Sequence, residues 1–147
     1  YQQKALADYK ANPESFQPYY YMGGYTLMRE QGNYASFLAA VSFHDGEEEA
    51  VQYFSHTYDM KTGKEVDLDD LVTDSREDLE YLWLASFMAL IDAEPDEFYS
   101  NAEKKLEKNL DKVDFYLTED GIVFYLSPGI IAPPETGAVS FEIAYEF

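Results

Sequence analysis

The last third of the chain alternates apolar and polar positions with the two-residue period of β-strands. Across 113–118, Val113, Phe115 and Leu117 share one face, and in the closing run Val139, Phe141, Ile143, Tyr145 and Phe147 do the same. Between them, Glu119-Asp120-Gly121 supplies an Asp-Gly pair whose positive φ angles suit a hairpin turn, and a strand over 122–127 follows at once. The stretch 127–137 reads as a loop rich in Pro and Gly yet apolar at Ile130 and Ile131. These two isoleucines either cap the sheet or, if exposed together, offer a partner-binding loop.

At the other end, Ala5, Leu6 and Tyr9 recur at helical spacing before Asn12-Pro13, a pair that stops helices, so a short helix is predicted over 2–11. A strand follows over 16–30, through Tyr19, Tyr20 and Tyr21, with a bulge or bend marked by Gly23-Gly24 before Tyr25. Gln31-Gly32-Asn33 is turn chemistry, and the nearly continuous apolar run over 34–43 predicts a central strand. His44-Asp45-Gly46 ends it. Across 50–58, Val51, Tyr53, Ser55 and Thr57 oppose Gln52, Phe54, His56 and Tyr58, which makes an antiparallel partner for the strand before it.

In the middle, Asp67 is placed to cap a short helical turn after a residue or two of strand. A helix is predicted from Asp74 or Ser75 to Ala93, burying Leu79, Leu82, Trp83, Phe87, Leu90 and Ile91. A second runs from Pro95 to Leu110, with Phe98, Ala102, Leu106 and Leu110 as its stripe and Lys104, Lys105 and Lys108 opposite. Strands and helices grouped in separate runs indicate α+β: an antiparallel sheet with two main helices packed on one face. The length of 147 residues suits one domain, with helix and strands over 1–58 and turn, helices and a three-strand meander over 59–147.

Composition narrows the function. Twenty-nine acidic against ten basic residues give a net charge of -19, which argues against nucleic acid; such a surface either draws cationic proteins or divalent cations by long-range attraction or serves only to keep an aromatic-rich domain soluble. The absence of cysteine removes disulfides, thiolate metal sites and thiol nucleophiles. No apolar run reaches the roughly 18 residues of a membrane span. The chain begins with Tyr1, which is compatible with a removed export signal or anchor, so membrane association is expected only through a tether outside it.

Candidate chemistry is sparse. His44 and His56 with Asp45 or Glu47 would make a zinc site only if the strands bring them together. Ser55 and His56 are adjacent in a strand and point to opposite faces, so they cannot act as a nucleophile pair. Asp67, Asp69, Asp70 and Asp74 lack the pattern of a calcium loop, and paired carboxylates for glycoside cleavage are not recognisable from sequence. No cofactor, metal or catalytic residue is therefore assigned. Tyr19, Tyr20, Tyr21 and Tyr25 serve strand packing or stack on sugar rings.

Tyr58-Asp59-Met60-Lys61-Thr62-Gly63-Lys64-Glu65-Val66-Asp67-Leu68-Asp69-Asp70-Leu71 resembles the D-x-x-T-G-K-x-L-x-L-x-D-L-F segment of a bacterial extracytoplasmic domain family. That family includes the lysozyme-sensing part of the sigma-V anti-sigma factor and the non-catalytic region of peptidoglycan deacetylase C. Phe115-Tyr116-Leu117-Thr118-Glu119-Asp120-Gly121-Ile122-Val123-Phe124-Tyr125-Leu126 is similar to its F-Y-L-T-x-x-G-L-V-F-x-F, and Ile130-Ile131-Ala132-Pro133 with Gly137-Ala138-Val139-Ser140-Phe141 to its close. The resemblance spans 59–147, with 34–58 like the family's paired N-terminal strands. It implies a secreted, lipid-anchored or membrane-tethered domain that works by binding, without catalysis. Lysozyme, a basic protein, is the most concrete partner, and a cell-wall glycan the alternative. Where many members carry a Gly-Gly-Ala-His-like run, this chain has His44-Asp45-Gly46-Glu47-Glu48-Glu49, so no binding residue transfers by motif.

Overall fold

A computed structural model describes residues 2–46 and 49–145. Helix α1 (Gln2–Ala11) ends where Pro13 bars Asn12 from helical backbone angles, and it buries no residue. Strands β1 (Tyr20–Gln31), β2 (Tyr34–His44) and β3 (Glu49–Asp59) form an antiparallel sheet in the order β1-β2-β3, so the apolar run is the central strand, as its pattern predicts. Gly32, at φ 68°, supplies the left-handed residue of the β1–β2 turn.

The bulge in β1 is not at the glycines. Gly23 and Gly24 pair regularly with Val41 and Ala40, and the register slips between Leu27 and Arg29, at Met28. Gly23 instead answers to packing, because a Cβ there would lie 3.2 Å from Val41 Cγ2. One inserted residue reverses which face the following side chains take. Arg29 thus turns inward, 7% exposed, and donates to the carbonyls of Thr118 and Gln31.

After a single bridge, Tyr58 to Glu65, comes α2 (Leu68–Leu71), with Asp67 at its N-cap and the Asp70 carboxylate accepting the Asp67 amide at 3.3 Å. Helix α3 (Arg76–Ala93) starts at Ser75, whose hydroxyl accepts the Asp78 amide at 3.2 Å. The second long helix does not form as one piece. A 3₁₀ turn (Pro95–Glu97), α4 (Ala102–Lys108) and another 3₁₀ turn (Leu110–Lys112) replace it. Phe98 is extended and the Tyr99 amide donates to Ile131 O at 3.1 Å, so a tertiary hydrogen bond outcompetes helix continuation.

Strands β4 (Asp114–Leu117), β5 (Gly121–Leu126) and β6 (Val139–Ala144) make a second antiparallel sheet in the order β4-β5-β6. The class is α+β, but the single expected sheet is two. Phe147, assigned to the last strand from its pattern, lies outside the described residues. Gly121 does not take the positive φ expected of an Asp-Gly hairpin; a Cβ there would fall 1.9 Å from Ile143 O, so close backbone approach demands glycine.

The core joins Leu79, Trp83, Phe87 and Ile91 of α3 and Leu106 of α4 to Leu117, Ile122, Phe124, Leu126 and Val139 of the second sheet. Each such side chain contributes about 1.5–3 kcal/mol on burial. The seam between the sheets is polar. Ser36 Oγ lies 2.8 Å from Thr57 Oγ1 and accepts the Leu117 amide at 2.9 Å. The Tyr125 hydroxyl donates to Asp114 Oδ2 at 2.9 Å and sits 3.1 Å from Ser55 Oγ. Burial, aided by the Asp114 charge, raises the Tyr125 pKa, and burial followed by Glu142 raises that of Tyr116.

Candidate functional site

The face of the first sheet turned away from this seam is assembled by register. Paired residues of antiparallel strands point to the same side, so the pairings Tyr25–Ala39–Phe54 and Leu27–Phe37–His56 each lay one row across three strands. Gly23–Val41–Gln52 and Tyr21–Phe43–Ala50 make the next two rows. Tyr25 is 72% exposed, Tyr21 67%, Leu27 47% and Phe54 44%. Ala39 is buried between Tyr25 and Phe54 of its own row despite facing outward.

Because Gly23 has no side chain, a depression of about 350 Å³ opens between Tyr21 and Tyr25, with Val41 and Ala39 among its lining. A second hollow lies beside Tyr25, Phe37, His56 and Tyr58. The rings of Phe37 and Tyr58 meet edge to face with centroids 6.3 Å apart, and His56 Nδ1 lies 2.6 Å from Glu65 Oε1. The surface offers aromatic stacking and apolar contact, with carboxylates at its border. Contiguous exposed apolar area of this kind marks interaction sites.

The four tyrosines singled out from sequence divide. Tyr21 and Tyr25 share the outer face. Tyr20 turns to the other side, stacked on His44 with centroids 5.9 Å apart and donating to Glu49 at 2.5 Å. Tyr19 precedes the strand, packs on Phe16 and donates to Asp8. Of the isoleucines, Ile131 is 1% exposed and Ile130 is half-buried against the core, so they are not exposed together and the loop packs on the core. Phe54, Phe37 and Leu27 carry no site reading from sequence, and His56 is considered there only as a zinc ligand or a partner of Ser55. The signal was the aromatic content of both faces of β3, since a strand with one solvated face carries few rings there.

His44 and His56 cannot share a metal, for they stand on opposite faces of the sheet, and Glu47 lies outside the described residues. Among the described residues no three His, Asp or Glu side chains come together as metal ligands. Ser55 faces the seam and His56 the outside, as alternation requires.

Residues 69–146, just over half of the chain, match the family model described as "Protein of unknown function (DUF3298)". The chain belongs to the DUF3298 family. This DUF3298 chain is also similar in fold to two crystal structures. One is a member of the family from Bacteroides fragilis NCTC 9343, with 22% identity, a TM-score of 0.68, and coverage of 95% of this chain and 57% of that one. The other is a DUF3298 family protein from Pseudomonas aeruginosa PAO1, with 14% identity, a TM-score of 0.65, and coverage of 95% and 65%. The chain thus spans less than two thirds of either. The likeness takes in the N-terminal sheet, which lies before the residues matched by the family model. No curated protein matches the chain significantly.

Proposed function

We propose that this DUF3298 chain is a non-enzymatic binding or sensor domain of the bacterial cell envelope, working outside the cytoplasm, and that the outer face of its first sheet takes a cationic protein. Lysozyme is the most concrete partner. The observation that carries the reading is the exposed aromatic face of Tyr21, Tyr25 and Phe54 on a chain of net charge -19. Charge steers a basic protein to the domain, and the rings supply a desolvated contact. The resemblance to the lysozyme-sensing part of the sigma-V anti-sigma factor supports the same reading.

Titration of a lysozyme by calorimetry at low and at moderate salt tests it. Binding at low salt that weakens as salt rises is expected, with Tyr25→Ala weakening it further by about tenfold. Absence of binding at low salt sinks the lysozyme assignment. A second reading, binding of a cell-wall glycan, rests on Tyr21 and Tyr25 flanking the Gly23 depression as two exposed rings on which sugars can stack. Glycan retention that survives high salt and is lost in the Tyr21→Ala, Tyr25→Ala double variant would favour it.

A further inference from the structure

The edges of the two sheets differ in how they are closed. At β3, Glu65 bridges to Tyr58, the Val66 amide bonds Thr57 O at 2.8 Å, and the Tyr53 amide bonds Ser127 Oγ at 3.2 Å. β4 has only four residues, and its Leu117 amide is taken by Ser36. β6 carries Glu142 in its middle. Short length, charge and cover are the usual protections of an edge.

β1 has none of them over residues 21–27. All seven are exposed, none is charged, none is proline, and the bulge comes only after Leu27. Gly24 has nothing within 4 Å of where a Cβ would stand, so another backbone can approach closely there. From the geometry we infer that this edge of β1 accepts an extended, Lys- or Arg-bearing segment of a partner protein as a fourth strand of the first sheet. Main-chain hydrogen bonds would hold the segment, and its alternate side chains would lie beside Tyr21 and Tyr25.

Charge decides the occupant. The strands β1, β2 and β3 contain no lysine, and their one arginine, Arg29, is turned inward. Glu30 is exposed next to the bulge, and Glu65 stands at His56. A second copy would bring another charge of -19 to the edge, whereas a basic strand is attracted. This inference rests on the binding role proposed above for the same face and specifies how the partner engages it.

The test uses the full chain, an octapeptide of alternating Lys and Val, and the same octapeptide N-methylated at every residue, which keeps charge and side chains but cannot pair as a strand. The unmethylated peptide is expected to slow amide hydrogen exchange at residues 21–27 and to bind at least about tenfold more tightly than the methylated one. The Met22→Lys, Thr26→Lys double variant, altered at two exposed positions on the opposite side from Tyr21 and Tyr25, should weaken the peptide by about tenfold through like charge at the edge. Equal binding of the two peptides overturns strand addition in favour of charge alone. No binding of either at low salt also overturns it, and so does protection of residues 21–27 without peptide in a sedimenting dimer, which would make a second copy the occupant. If lysozyme binds and Tyr25→Ala weakens it while the peptide leaves the 21–27 amides unchanged, the binding face stands and strand addition falls. Peptide pairing with no lysozyme binding gives the reverse.

Discussion

Two antiparallel meanders of three strands each, both rich in aromatic residues, end in opposite surroundings. All six residues of β5 are buried, whereas Arg29 is the single buried residue of the longer β1. The sheets meet at the polar seam, which covers Ser36 and Thr57 of the first but leaves Met22 and Thr26 on the same side exposed. The second sheet gives its other face to α3 and α4, while α1, the helix preceding the first sheet, buries nothing. Strand composition is therefore a poor guide to burial here. What distinguishes the covered sheet from the exposed one is that α3 and α4, which carry apolar stripes, pack on the strands that come after them, while α1 brings no such stripe to the strands that follow it.

That contrast can be broken at three places. The largest effect is expected from Phe87→Ala, which empties a fully buried site of α3 against Phe141 and should cost about 3–5 kcal/mol in urea unfolding. A loss below about 1 kcal/mol would mean that the helix layer is not the core. Next is Tyr125→Phe, which strips the seam of a hydroxyl and takes the Tyr125 donor from Asp114 Oδ2 while Oδ1 keeps the Phe115 amide, at about 1–3 kcal/mol. Its pH dependence has a definite sign. The folded state holds the Tyr125 proton more tightly than the unfolded chain, so the contribution is complete below pH 10.0, the ordinary tyrosine value, and is lost as pH climbs above it. Unfolding curves at pH 8 and at pH 10.5 should diverge less for Tyr125→Phe than for the parent; equal divergence would remove Tyr125 from the account.

The smallest effect on stability belongs to the outer face. Phe54→Ala should change unfolding free energy by less than about 1 kcal/mol, because the ring is nearly half exposed in the folded chain. Binding should suffer instead, and a large loss of stability with unchanged binding would recast the face as structural.

Periodicity located most of the elements. The Asn12-Pro13 stop, the apolar run of β2 and the Ser75 start of α3 each depend on neighbours within a turn or two of chain, and each stands where local physics puts it. The failures are contacts between distant segments. The Tyr99 amide is claimed by Ile131, which breaks the helix expected from Pro95 to Leu110. Gly121 is required by the approach of Ile143, not by its own φ. The expected single sheet is two, and where they meet the Leu117 amide bonds a serine hydroxyl instead of a ladder carbonyl. The same limit divided the candidate site. Alternation separated Tyr20 from Tyr21 and Tyr25, but the partnership of Tyr25 with Phe54 across Ala39 exists only once the register of both hairpins is fixed.

The slip at Met28 has an electrostatic meaning. Were β1 regular, Arg29 would continue the outward series of Tyr21, Tyr25 and Leu27, and Glu30 would point to the seam. With the extra residue, Arg29 faces Ser36 and Glu30 faces Ala35. One inserted residue has exchanged a cation for an anion at the end of the aromatic face, so the sign of that surface is written into the backbone register as much as into the composition.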